Sequence, residues 1–152
     1  MIITFFGHGS VYYDDNIKNS VAEIIKKHIA VDEQITFLCG GYGDFDSMCA
    51  NICRELKKYY PLIELVYVTP YLNTQQKLKE LSELKLYDSI IYPPIEKVPY
   101  RYAIIKRNEW MAENADLLIV YVKHEYGGAY NALKYAKKKG KTIINIADNS
   151  WV

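Results

Sequence analysis

The sequence predicts an α/β fold: an open, mostly parallel sheet of about six strands with helices on both faces. Three observations carry this expectation. Short apolar runs recur along the 152 residues. Segments with apolar spacings of three and four separate them, and glycines cluster where a run gives way to such a segment. With 50% hydrophobic and 24% charged residues the chain can build a core, which excludes a disordered polypeptide.

Residues 2–6 (Ile-Ile-Thr-Phe-Phe) form the first run and read as a strand, because no basic residue precedes them as in a signal peptide. Asp14, Asp15 and Asn16 can then cap a helix whose Ile17, Val21, Ile24, Ile25 and His28 share one face. Strand 35–39 follows. The next helix carries Met48, Cys49, Ile52, Cys53 and Leu56 inward and stops at Pro61. After strand 63–68, a third helix is expected from about residue 74 to 84, with Leu78 and Leu81 inward. Strand 89–92 leads into an irregular loop marked by Pro93, Pro94 and Pro99, then a fourth helix over about 100–114. Strand 117–122 (Leu-Leu-Ile-Val-Tyr-Val) is continuously apolar, as a strand covered on both faces must be. The fifth helix turns Ala129, Ala132, Leu133 and Ala136 inward. It ends in Lys137–Lys139 and Gly140, cations against the negative helix end before a C′ glycine; strand 142–146 closes the series. Alternating strands and helices imply right-handed crossovers, hence one Rossmann-like domain over residues 1–152.

Charge and cysteine content narrow the surroundings. Nineteen Lys and Arg against 18 Asp and Glu leave a formal charge of +1, so a strongly basic nucleic-acid surface is not indicated and nucleic acid is not expected as a partner. No run nears the roughly 18 apolar residues of a membrane span. Three cysteines, two of them on one helix face, fit a reducing cytoplasm better than a disulfide framework. The histidines and cysteines lack zinc-ligand spacing, and neither a metal nor a cofactor is expected. The 15 tyrosines reflect either codon bias or rings lining a ligand pocket.

Seven of the eight glycines fall in three clusters, Gly7 with Gly9, Gly40 with Gly41 and Gly43, and Gly127 with Gly128. Each cluster follows a strand and precedes a helix, at the sheet edge where open α/β folds bind ligands. Gly7-His8-Gly9-Ser10-Val11-Tyr12 begins like a dinucleotide fingerprint, but Tyr12 holds the third glycine's place and no carboxylate ends the second strand. No loop supplies the Lys-Ser/Thr of a Walker motif. A smaller phosphate- or ribose-bearing ligand fits better, with backbone amides in place of a lysine.

Polar residues add detail. His8 lies between two glycines, where it either donates to phosphate, transfers protons or faces solvent as a turn residue. Asp44 and Asp46 either cap the second helix or bond ribose hydroxyls. Helical spacing aligns Asn108 with Ile104 and Met111 on the inward stripe. Arg107 beside them reaches water, meets an anion or pairs with a surface Glu.

At these residues the sequence resembles the SLOG superfamily, Rossmann-like domains that include the LOG cytokinin-activating phosphoribohydrolases and the DNA-processing protein DprA. One segment, Cys39-Gly40-Gly41-Tyr42-Gly43-Asp44-Phe45-Asp46-Ser47 through Thr69-Pro70-Tyr71, is similar to the YpsA-like branch. The other is Arg107-Asn108-Glu109-Trp110-Met111…Ala115-Asp116 followed by Gly127-Gly128. The resemblance implies that Gly40, Gly41, Gly43, Arg107, Gly127 and Gly128 surround a nucleotide or nucleotide-derived small molecule. Gly7, His8, Gly9, Ser10, Tyr42, Asp46 and Asn108 are expected beside them. LOG enzymes place a catalytic glutamate shortly after the last glycine pair; here Lys134 stands there, and a protonated lysine neither activates water nor stabilises an oxocarbenium ion. The resemblance therefore implies binding, by sensing or sequestration. The alternative is an enzyme cleaving or transferring an N-glycosidic bond of a nucleoside monophosphate, with Asp46, Glu109 or Glu125 as the carboxylate. SLOG relatives often pair into homodimers that share a site, though no stretch here identifies an interface.

Overall fold

The computed structural model describes residues 1–71, 79, 80, 82, 83 and 85–148. Six strands form one parallel sheet: β1 (Ile2–Gly7), β2 (Ile35–Cys39), β3 (Ile63–Val68), β4 (Ser89–Ile91), β5 (Leu117–Tyr121) and β6 (Thr142–Asn145), in the order β4-β3-β2-β1-β5-β6. Four α-helices stand among the described residues: α1 (Asp15–His28), α2 (Asp44–Lys57), α3 (Ala103–Asn114) and α4 (Gly128–Lys138). The Rossmann-like α/β expectation holds, with strand ends within a residue or so of those predicted. The helix expected at about 74–84, Leu78 and Leu81 included, falls largely outside the described residues.

Alternation along each strand feeds two cores. Ile3 and Phe5 of β1, Leu117 and Ile119 of β5 and Phe37 of β2 pack with Val21, Ile24 and Ile25 of α1 and Cys49 and Cys53 of α2. Phe6, Leu38, Leu118 and Val120 point to the opposite face, against Met111 and Ala112 of α3 and Ala132, Leu133 and Ala136 of α4. Both faces of β5 are therefore covered, and all five of its residues are buried. Burial of Cys39, Cys49 and Cys53 pushes their thiols well above the ordinary range, so they remain protonated core residues. Thr4, the polar member of β1, is satisfied by donating to Leu38 O at 2.8 Å.

Local signals explain the helix ends. Asp14 caps α1 by accepting from the Ile17 amide at 3.0 Å. His28 lies in the last turn of α1, exposed rather than on the buried stripe, and its Nδ1 bonds Ile24 O at 2.7 Å. A 3₁₀ turn, Tyr100–Tyr102, precedes α3, so the predicted fourth helix is two pieces. No helix among the described residues is long and apolar enough to cross a membrane.

β1 connects through α1 to β2 on one side, while β5 lies on its other side. The strand order thus reverses between β1 and β5, and the loops leaving their carboxyl ends diverge to open a crevice.

Candidate functional site

The crevice has a volume of about 560 Å³ and draws on all three glycine clusters. Gly7, His8, Gly9 and Ser10 line it from β1, Gly40, Tyr42 and Asp46 from the β2–α2 junction, Arg107 and Asn108 from α3, and Gly127 and Gly128 from the start of α4. A larger groove of about 890 Å³ lies between α1 and α2, lined by residues of those helices with Tyr59 and Tyr60, away from the glycine loops.

The first two loops are fastened to each other. Asp44 N donates to Gly9 O at 2.9 Å. A Cβ on Gly7 would stand 2.2 Å from the ring of buried Phe45, so the glycine there makes room for the core. Gly41 has φ +69 and its added Cβ would lie 2.1 Å from the Tyr67 ring, two independent reasons for glycine. Gly41 and Gly43 stand behind the crevice wall rather than on it.

Asp46 does not cap the second helix. Gly43 is the N-cap of α2, and Asp46, in the first turn, folds its carboxylate back to accept from Gly40 N at 3.2 Å and Gly41 N at 2.7 Å. The amides expected to cradle a phosphate at this loop are therefore engaged by the protein's own carboxylate. Burial pushes the Asp46 carboxyl up to about 6, opposed by the Gly41 and Gly40 amides and by the Arg107 charge.

For Arg107 two of the three alternatives fall away. Only 4% exposed, it neither reaches water nor pairs with a surface Glu. Its Nη1 donates to Gly40 O at 2.9 Å and Val68 O at 2.8 Å, and its Nε to Asn108 Oδ1 at 2.9 Å. The guanidinium thus ties α3 to the ends of β2 and β3, beside the Asp46 charge that offsets its burial. The inward stripe of α3 is Ala103, Arg107 and Met111; Ile104 is 48% exposed and, with Asn108, faces the crevice instead of the core. Glu109 pairs with Lys106 at 3.1 Å, and neither it nor Glu125 lines the crevice, so of the three candidate carboxylates only Asp46 is at the site.

His8 is buried, not a solvent-facing turn residue. Its Nε2 accepts from the Lys123 amide at 2.9 Å, which assigns the proton of the neutral ring to Nδ1. Burial first, then the charges of His124 and Lys123, hold its pKa below the ordinary histidine value. The ring stacks on His124, and His124 stacks on Tyr126. On the far side of β5, Asn145 accepts from Val122 N at 3.1 Å and donates to Val122 O at 3.0 Å, fixing where the chain leaves the sheet.

The third loop differs from the other two. Gly127 has φ +92 and opens α4, and Cβ atoms on Gly127 or Gly128 would meet nothing within 4 Å. Space is therefore open around the helix start, whose first amides have no partner within the helix itself. Among the described residues no group of three or more His, Cys, Asp or Glu is placed to hold a metal.

Sequence reasoning missed Tyr67, Thr69, Tyr71, His124 and Tyr126 as lining residues. The signal that could have found them is position: each lies at the carboxyl end of β3 or β5 or just beyond it, as the glycines follow their strands.

Comparison with known proteins follows the same lines. No family model matches the chain. It is 29% identical to a UPF0398 protein of Brevibacillus brevis, across 89% of this chain and 76% of the relative. It is 28% identical to a UPF0398 protein of Halalkalibacterium halodurans, across 76% and 68%. The SPbeta prophage-derived protein YoqJ of Bacillus subtilis is 24% identical, across 80% and 81%. Among solved structures, DprA of Streptococcus pneumoniae shares the fold with a TM-score of 0.60 at 15% identity, and DprA of Helicobacter pylori with 0.60 at 13%. The match covers 93% and 94% of this chain but only 48% and 63% of those two, so this chain spans about half to three fifths of their length. These relatives and neighbours support the SLOG assignment implied by the glycine and arginine motifs. They also overturn one expectation. The H. pylori protein is described by its single-stranded DNA binding, so nucleic acid cannot be set aside on the ground of near-neutral charge. Net charge is a whole-chain sum and says nothing of a local groove.

Proposed function

We propose that this SLOG-type chain binds a nucleotide, free or as a unit of a single strand, in the crevice above the β1/β5 switch point. The observation that carries the reading is the meeting of three glycine loops in one hollow, with the third loop open at the start of α4. A phosphate there would meet free helix-start amides and the positive dipole end. At the second loop Asp46 already occupies the Gly40 and Gly41 amides, which leaves little there for a phosphate, and its carboxylate would instead accept from ribose hydroxyls. The likeness to DprA is why a single strand is included as a source of the nucleotide.

Calorimetric titration of the full chain with AMP, ADP-ribose, a cyclic nucleotide and a 5′-phosphorylated single-stranded oligonucleotide tests the reading and separates the two sources. Saturable heat is expected from at least one. Silence from all of them, with protein shown to be folded, overturns it.

A second reading is cleavage of an N-glycosidic bond. One observation favours it: Asp46 lines the crevice with a carboxyl poised near 6, a value suited to proton transfer. Chromatography of nucleoside monophosphates incubated with the protein decides it, since free base must appear with the natural chain and not with Asp46→Asn.

A further inference from the structure

Three rings stand in a column at the crevice, across the gap between β1 and β5. His8 and His124 lie 3.7 Å apart between centroids at an interplanar angle of 13°, and His124 and Tyr126 lie 3.8 Å apart at 15°. Two near-parallel rings so close to His124 cannot share one of its faces, so His124 is the middle layer.

The inner end is held. His8 is 8% exposed, accepts from the Lys123 amide and sets its ring edge-on to Tyr121. The middle layer is held as well: His124 Nδ1 lies 3.2 Å from Tyr126 O, and since a carbonyl only accepts, Nδ1 donates. The outer layer is different. Tyr126 is 68% exposed, lines the crevice and immediately precedes Gly127 and Gly128. Nothing in the core explains an ordered column that ends in an exposed ring beside open helix amides.

We infer that this column is a base-stacking platform: a nucleobase lies on Tyr126 as a fourth layer, with its sugar phosphate reaching the start of α4. The inference rests on the nucleotide reading above and adds the part of the ligand that is recognised. Stacking uses the π-face that every base has, so the platform accepts any base and favours a nucleotide over a sugar phosphate without one. The pre-stacked histidines fix the outer ring before the ligand arrives, which limits the ordering cost of binding.

The test uses the full chain and 2-aminopurine ribonucleoside 5′-monophosphate, whose fluorescence is quenched when its base stacks. Ribose 5-phosphate is the competitor without a base, and a short single strand carrying the same fluorescent base separates the two nucleotide sources. Quenching on binding is expected. Tyr126→Ala should weaken binding about five- to hundredfold, the range for losing one base–ring stack, and Tyr126→Phe should restore it. Melting temperatures of both variants should match the natural chain, because the side chain lies at the surface. Binding without quenching, unchanged affinity in Tyr126→Ala, or equal competition by ribose 5-phosphate overturns the platform and leaves the nucleotide reading standing. If neither probe nor ribose 5-phosphate binds, the nucleotide reading falls, and the platform with it.

Discussion

Asp46 offers the sharpest test of how the crevice is held together. The perturbation is Asp46→Asn, which keeps the shape and removes the ionisation. In the folded chain the carboxyl is buried and its pKa stands at about 6, against an ordinary value of 3.8. The folded state therefore holds this proton more tightly than the unfolded one. Below pH 3.8 both states are protonated and the contribution is fully present. As pH rises through about 6 it is lost, because folding must then bury a charge. The difference amounts to about 3 kcal/mol. Urea unfolding of both proteins at intervals from pH 4 to 8 measures it. The stability of the natural chain relative to Asp46→Asn should fall by most of that amount across the range. His8 acts oppositely: its lowered pKa makes folding lose stability as pH falls below the ordinary value of 6.5. Both proteins keep His8, so its effect cancels in the difference. Parallel stability curves for the two proteins would show that Asp46 does not sit as a buried carboxylate on the Gly40 and Gly41 amides.

The other predictions concern residues around that carboxylate and the open loop. Arg107→Met leaves the carbonyls of Gly40 and Val68 without their donor and the Asp46 charge without its neighbour. It should cost about 3–5 kcal/mol in urea unfolding at pH 8 and less at pH 5, where Asp46 is protonated. Gly41→Ala combines a left-handed φ of +69 with a 2.1 Å approach to the Tyr67 ring and should cost about 2–5 kcal/mol. Gly128→Ala meets nothing within 4 Å, so its melting temperature should hold or rise slightly. Nucleotide affinity, measured by the same calorimetry, should nevertheless drop about tenfold if a ligand rests on that backbone; unchanged affinity would remove Gly128 from the site.

The sheet was legible because its signal is local. β5 is buried on both faces and therefore reads as an unbroken apolar run, and α1, α2 and α4 bury most of the stripes their spacings predict, His28 of α1 being the exception. The site was legible in position but not in cause. Glycine at a strand–helix junction marks the crevice edge, yet the sequence cannot distinguish a glycine that admits a ligand from one that admits Phe45 or Tyr67. Arg107 shows the same limit. Its partners lie 67 and 39 residues away, at Gly40 and Val68, and no helical periodicity predicts a cation among buried positions. The apolar stripe drawn through Ile104 was misplaced because the crevice removes the core from that part of α3. His8 and His124 are 116 positions apart and meet only because the topology sets β5 beside β1.

That topology also divides the labour of the site. The loops after β1 and β2 bond to each other through Asp44 N and Gly9 O, and the second is pinned by Asp46 and Arg107. Their polar groups are largely satisfied within the protein, so they form a firm wall with little donor capacity left for an anion. The loop after β5 carries the opposite character: its root is clamped by Asn145, its rings are stacked, and its glycines look onto open space. A negatively charged group entering the crevice therefore finds few open donors on the Asp46–Arg107 side and is favoured at the start of α4. On the nucleotide reading proposed above, polarity thus favours one orientation, phosphate toward Gly127 and Gly128 and base against the ring column, before any specific contact is made.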